Sequence, residues 1–353
     1  MALGGGPAVG LDIGTSAVRA AQVSVGRRGA SLQAFGQVAL PPGAVVDGEI
    51  RDQETVSEAI SQLFKRAKIK SKEAIIGVAN QRVVVRQVDL PYLEEKEFRS
   101  SLKFQVADQI PMPAEEAELD FQVLDDYMTE SQEHMMRVLL VAASTDMVES
   151  FVACVTGARI APAGVDLKPF AVARAVSPAA RGELGIAGAE AIVDFGAGVT
   201  SIVVHQGGEA RFVRILLVGG DDATRALESA LGVSFDEAEA VKLDLGRGVG
   251  STEAQSALSR SVDSLVEEVR GSFDYYLSQE DSAAISSVVV TGGGSLTPGL
   301  VGKLEQTVRL PIRRATPLGE MDVSKSGLTS EQLAQVEPVA AAAVGLAMGA
   351  SGK

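Results

Sequence analysis

The chain has no tryptophan, a single cysteine, two histidines and only 4% aromatic residues, and its 32 basic residues are outnumbered by 46 acidic ones. Each shortage excludes something. Cys154 has no partner for a disulfide within the chain. Its neighbours Phe151, Val152 and Val155 give it an apolar helical setting, so it reads as a buried structural thiol. His134 and His205 stand without other metal-ligating residues, which argues against a histidine-based metal centre. His205 precedes Gly207 and Gly208 and reads as a hairpin-edge residue. The net charge of −14 argues against a nucleic-acid surface and against unaided binding to anionic lipid. No apolar run has the length of a membrane span, and the N-terminus lacks a signal-peptide layout, which fits a cytoplasmic address. With 353 residues and few aromatic rings, the expectation is two domains with aliphatic cores.

What the chain does have is glycine at three informative turns. The apolar run ending in Asp12 and Ile13 meets Gly14, Thr15 and Ser16, and a second β-like run follows from Ala17. That is strand, tight turn, strand. Backbone N–H groups in such a turn form a concave anion site, and the hydroxyls of Thr15 and Ser16 add donors. Asp12, at the strand end, suits Mg²⁺ held through water. Alone, Asp-Xaa-Gly is an ordinary hairpin. Here it recurs half a chain later as Asp194, Phe195, Gly196, Ala197, Gly198, Val199 and Thr200, again between apolar runs. A duplicated turn predicts two similar halves that clamp a polyphosphate from both sides. The third turn, Gly292, Gly293, Gly294 and Ser295, follows the run Val288, Val289, Val290. A helix is expected next, with Thr297 as N-cap and Pro298 at its first position.

Between these turns the periodicity predicts amphipathic helices over 52–68, 94–109, 252–279 and 330–348, and a helix over 145–158 with Thr145 as N-cap. A β-α-β-β-α block over 82–159 reads as an inserted subdomain. The expected division is a disordered leader over 1–7 and a first domain over 8–81 and 160–185. The insert covers 82–159 and a second domain 186–329, with the helix 330–349 packing back on the first. A helix is also expected from Asp166 to Val176. Glu239 and Lys242, three apart on one helical face, read from the residues alone as a surface pair.

The three turns, in this order and spacing, resemble the actin-like ATPase superfamily, which includes actin, heat-shock chaperone ATPases, sugar kinases, MreB, FtsA and PilM. The resemblance implies an α/β fold: a duplicated, ribonuclease H-like, two-domain actin-like ATPase. It implies ATP and Mg²⁺ as cofactors. Phosphate binding falls to Asp12, Gly14, Thr15, Ser16, Asp194, Gly196, Gly198 and Thr200, and Mg²⁺ to Asp12 and Asp194. The nucleoside falls to Gly219, Gly220, Asp221, Glu239, Lys242, Gly292, Gly293, Gly294 and Ser295. Asp166, where the first connecting helix begins, is a candidate for polarising a water, or else a plain N-cap.

Within the superfamily the insert is of FtsA type, but the Ala-rich tail lacks the basic and aromatic residues of an amphipathic anchor. The stretches 46–50, 83–91 and 110–124, the last with Met112 where an aromatic ring is usual, resemble the PilM family of type IV pilus assembly proteins. That resemblance implies a cytoplasmic ATP-binding scaffold, peripheral at the inner face of the membrane through partners. It implies docking of the N-terminal tail of PilN in a groove between first subdomain and insert, and contacts with other pilus proteins including motor ATPases, or with itself. Turnover of ATP is expected to be slow or negligible. Alternatives are an FtsA- or MreB-like filament former and a small-molecule kinase.

Overall fold

The computed structural model describes residues 7–26, 29–183, 185, 188–279 and 282–351. Of the leader expected over 1–7, all but Pro7 lies outside the described residues. The first domain begins with β1 (Ala8–Ile13), β2 (Ala17–Gly26) and β3 (Gly29–Ala39), then a two-residue ladder of β4 (Val45–Val46) and β5 (Glu49–Ile50), helix α1 (Gln53–Arg66) and β6 (Glu73–Val78). The insert supplies β7 (Val83–Pro91), α2 (Glu95–Gln105), β8 (Ala117–Met128) and β9 (His134–Ser144). Helix α3 (Thr145–Gly157), β10 (Ala161–Leu167) and α4 (Lys168–Val176) return to the first domain. The second domain holds β11 (Ala189–Phe195), β12 (Thr200–Gln206), β13 (Glu209–Leu216), α5 (Gly220–Leu231), α6 (Phe235–Gly246), α7 (Thr252–Leu277), β14 (Ile285–Thr291), α8 (Leu300–Val308) and β15 (Ile312–Arg314). Two helices close the chain, α9 (Ser330–Val336) and α10 (Ala341–Ser351).

The two main sheets have one topology. The first runs β10-β6-β1-β2-β3 and the second, read from its other end, β15-β14-β11-β12-β13. In both, an antiparallel meander (β1-β2-β3, β11-β12-β13) is joined through its first strand to a parallel partner, β6 or β14. The turns match as well: Gly14 N donates to Ala17 O at 3.0 Å, and Gly196 N to Val199 O at 2.9 Å. The duplication expected from two Asp-Xaa-Gly turns is therefore a duplication of whole sheets.

Local chemistry sets most element ends. Asp52 caps α1, accepting from Thr55 N at 3.0 Å, and Val56, Ile60, Leu63 and Phe64 form its buried stripe. The helix stops at Arg66, before Lys68 at φ 55°. In the insert, α2 ends at Gln105, and residues 107–109 make a separate 3₁₀ turn ahead of Pro111. The sheet β7-β9-β8 and α2 enclose a core of Val88, Leu90, Phe98, Leu102, Met136, Val138 and Leu140, with Met112 packed against it.

Several expectations are corrected. Helix α3 does not belong with the insert's core: Met147, Phe151, Cys154 and Val155 pack with Val56, Ile60 and Leu63 of α1 in the first domain. Its N-cap is Ser144, and the Thr145 hydroxyl donates to Glu118 at 3.3 Å instead. Helix α4 starts at Lys168, because Asp166 and Leu167 still pair with Gly77 and Val78 in the sheet. A 3₁₀ turn, Gly293–Leu296, begins within the triple glycine, so α8 starts only at Leu300, with Gly299 at φ 81° as N-cap. The single helix expected over 330–348 is broken: Ser330–Val339 and Ala341–Ala350 meet at 83°. Pro338 lacks an N–H to continue the helix, and its carbonyl accepts from Gly292 N at 3.0 Å. Among the described residues no single helix is long and apolar enough to cross a membrane.

Past that break α10 lies against β1 and α4. A Cβ on Gly345 would overlap the Ala171 carbonyl, and one on Gly10 the Ala343 carbonyl. Around this crossing Ala21, Val23 and Phe35 of the first domain, Val172 and Val176 of α4, Ile192, Val203 and Val289 of the second domain, and Ala340, Ala343 and Ala347 share one core.

Alanine in a helix interior normally stabilises over glycine by roughly 0.5–1 kcal/mol. That sign holds for Gly271 in α7, where nothing lies within 4 Å of an added Cβ. It reverses at Gly345, where overpacking costs about 1–3 kcal/mol. Thermal melts of Gly271→Ala and Gly345→Ala are expected to move in opposite directions; a Gly345→Ala protein as stable as wild type would disprove the crossing.

Candidate functional site

The duplicated sheets bring their Asp-Xaa-Gly turns face to face. Between them lies a cleft of about 530 Å³. From the first turn it is lined by Asp12, Gly14, Thr15 and Ser16, from the second by Asp194 and Gly196, and from the third by Gly292, Gly293 and Gly294. Gly220, Asp221, Glu239 and Lys242 line its other side. The turns meet so closely that glycine is obligatory at some positions. Gly292 has φ 85°, and a Cβ there would overlap the Phe195 carbonyl and the Asp194 carboxylate. On Gly294 it would overlap the Gly196 carbonyl. The third turn is thus pressed onto the second, backbone against backbone.

Five residues expected at the site do not line the cleft. Thr200 is buried and faces the other way along its strand, donating to Val218 O at 2.7 Å; Ser201, one residue on, is the side chain that reaches the cleft. Ser295 turns its hydroxyl back to Gly292 O at 2.7 Å. Gly219 is packed on the Ala197 carbonyl and its N–H donates to Asp222 at 2.7 Å. Gly198 abuts the Thr15 side chain of the first turn. Asp166 is half-buried in β10, where its carboxylate takes Leu167 N at 2.8 Å and Arg174 at 3.1 Å. Arg174 in turn donates to Gly345 O at 2.7 Å. Asp166 is therefore neither a side-chain N-cap nor a cleft residue; it ties β10 to the α4–α10 crossing.

The pair Glu239 and Lys242 is more than a surface pair. Lys242 is buried and its Nζ contacts Glu239 at 2.6 Å, Thr224 Oγ1 at 2.7 Å and Gly220 O at 3.1 Å, so it binds α6 to the first turn of α5. Two cations were missed. Arg19 is the cross-strand partner of Asp12, with Nη1 3.7 Å from its Oδ2, and Lys168 Nζ lies 2.6 Å from Asp12 Oδ1. Arg19 was legible as the residue opposite Asp12 in a hairpin. Lys168 carries no sequence signal, since its position depends on where α4 enters. His205, read as an edge residue, is buried within the second sheet and bonded to Glu190 at 3.1 Å.

Burial pushes the Asp194 carboxyl up to about 6; Lys168 and Arg19 oppose the rise and Asp12 adds to it. Burial likewise raises Asp221, against the pull of Arg225 and Lys242. Because the folded Asp194 binds its proton more tightly than the unfolded chain, its contribution to stability is greatest below pH 3.8 and falls as pH rises to about 6. Asp194→Asn removes that penalty. Its gain in stability over wild type, measured by nucleotide-free thermal melts, is expected to be larger at pH 7.5 than at pH 4.5 by on the order of 2 kcal/mol; equal gains at the two pH values would refute the shift.

Comparison with known proteins places this geometry in a family. The model of the type IV pilus assembly protein PilM matches residues 10–351. The structure of a PilM-PilN type IV pilus biogenesis complex superposes with a TM-score of 0.85 at 27% identity, covering 98% of this chain and 99% of that one. Cell division protein FtsA of Bacillus subtilis is 24% identical over 88% of this chain and 78% of its own length. FtsA of Pseudomonas aeruginosa is 25% identical over 96% and 88%. The ethanolamine utilization protein EutJ from Carboxydothermus hydrogenoformans shares the fold alone, with a TM-score of 0.59 at 15% identity over 97% of this chain and 89% of that one. A family model matched over nearly its whole length, on an actin-like fold with its duplicated turns facing across one cleft, shows that the chain belongs to the PilM family of type IV pilus assembly proteins.

Proposed function

We propose that the chain is an ATP-binding scaffold of the type IV pilus assembly platform, whose nucleotide state biases the angle between its two domains and so the surface offered to a partner. The observation that carries this reading is the convergence of three glycine turns, two of them related by duplication, on one cleft of about 530 Å³. Backbone N–H groups of the first two turns would hold the phosphates, and Gly292, Gly293 and Gly294 would admit the nucleoside. Lys242 would position the ribose side. Hydrolysis is slow in this reading. Among the described residues no glutamine lines the cleft, and Asp12 is engaged by Lys168, which takes away one carboxylate that could position an attacking water.

The partner in this reading is the cytoplasmic tail of a PilN-type protein, as in the complex that the structure resembles, and the chain is cytoplasmic and held at the membrane through that tail. A cavity of about 470 Å³ suits an extended peptide with apolar and charged side chains, since Arg181 and Glu183 line it beside the apolar residues. It lies between Gln122 and Leu139 of the insert, Phe170 and Ala173 of α4, and Val203 and Ala210 of the second domain. Because this cavity touches all three units, occupancy and domain angle would be coupled.

The experiment is a fluorescent-ATP titration with and without a peptide of the PilN tail. Both ligands are expected to bind, and each to change the affinity for the other by the same factor. Lys242→Ala is expected to weaken ATP at least about tenfold, and Gln122→Arg to weaken the peptide by a similar factor with ATP affinity kept. ATP without peptide would remove the docking assignment; neither ligand binding would remove the nucleotide reading.

A further inference from the structure

Two strand-end carboxylates facing across a phosphate site normally draw a divalent cation, because no protein charge balances them. The residues here do not fit that group: Asp12 Oδ1, buried and without a hydrogen-bond partner, faces a protein cation and not an open ion site. Lys168 Nζ lies 2.6 Å from Asp12 Oδ1 and 3.4 Å from the carbonyl of Ile13, at the mouth of the first phosphate turn. Arg19 sits on the other oxygen of Asp12 at 3.7 Å. Both cations are mostly buried, with side chains 16% and 15% exposed, so neither is a solvated surface charge that leaves freely. Both also act on Asp194. The phosphate end of the cleft is thus balanced, two carboxylates against two cations. The remaining acids that line it, Asp221, Asp236 and Glu239, come from α5 and α6 on the nucleoside side, together with Lys242.

Resting on the nucleotide reading above, we propose that Lys168 takes the place of a divalent ion: its ammonium is the cation that meets the nucleotide phosphates, so that binding does not depend on Mg²⁺. Lys168 is also the first residue of α4, which is joined through Arg174 to Gly345 of α10. A phosphate that draws on Lys168 therefore acts directly on the helix connecting the two domains, with no metal between.

The test is calorimetric titration of ATP into the full chain, in Mg²⁺ and in EDTA, for wild type, Lys168→Gln and Lys168→Arg. Wild-type affinity is expected to change by less than about threefold between the two buffers. Lys168→Gln is expected to weaken binding at least about tenfold in EDTA and to recover most of that loss in Mg²⁺, once Asp12 is free to hold the ion. Lys168→Arg should stay close to wild type in EDTA. Wild-type binding that collapses in EDTA, or a Lys168→Gln protein that binds as well as wild type in EDTA, overturns the proposal while leaving the nucleotide site standing. Should Lys168→Gln fail to fold, the wild-type comparison decides alone. No binding by wild type in either buffer overturns the site itself.

Discussion

The structure depends on one backbone-to-backbone contact, where Gly345 of α10 crosses the Ala171 carbonyl of α4. Two helices meet at this distance only if one of them has no side chain at the crossing. Once they do, the surrounding positions must be small as well, which accounts for Ala340, Ala341, Ala342, Ala343 and Ala347 in the shared core. Arg174 fastens the crossing, bonded at once to the Gly345 carbonyl and to Asp166 at the end of β10. From there α4 runs back to Lys168 at the first Asp-Xaa-Gly turn, and α10 runs back to the bend at Pro338, whose carbonyl holds Gly292 of the third turn. A single close contact behind the cleft sets the positions of both of its ends.

The other end of α4 is held by charge. Ser177, just past the helix, donates to Glu190 on β11, and Arg313 on β15 reaches both the Val176 carbonyl and Glu190. Burial would raise the Glu190 carboxyl, but hydrogen bonds from His205 and Ser177 and the nearby Arg313 outweigh it and keep the group below the ordinary carboxylate range. So α4 is pinned to the first domain through Asp166 and to the second through Glu190. A rod fixed in this way ties the position of one domain's sheet to that of the other.

What could be read from the sequence follows from how local each cause is. The Asp-Xaa-Gly turns and the triple glycine were legible because close backbone approach permits little but glycine, and a repeat of the turn announces a repeat of the sheet. Helix α1 was legible from Asp52 and its apolar stripe. Thr200 was misplaced because a one-residue change of register along a strand swaps its faces, and only the pairing with β13 settles which of Thr200 and Ser201 looks into the cleft. Helix α3 continues directly from the insert in sequence, yet its apolar face belongs to α1. The break at Pro338 was visible as a proline, but its use, a carbonyl presented to Gly292, needed the fold. Lys168 was the least legible, an ordinary lysine until the entry of α4 puts it on Asp12.

Because α10 rests on β1 at Gly10, the first strand and the last helix of the described chain complete one another. The first domain's sheet can pair early, but the face that Gly10 and Gly77 keep open for Leu346 and its neighbours remains uncovered until synthesis has run on from β6 to α10. At the usual pace of translation, roughly 5–20 residues per second, that face waits exposed for tens of seconds. Folding on the ribosome is therefore bound to finish late, and a chain stalled before α10 would present an open apolar trough to chaperones and proteases rather than a finished domain.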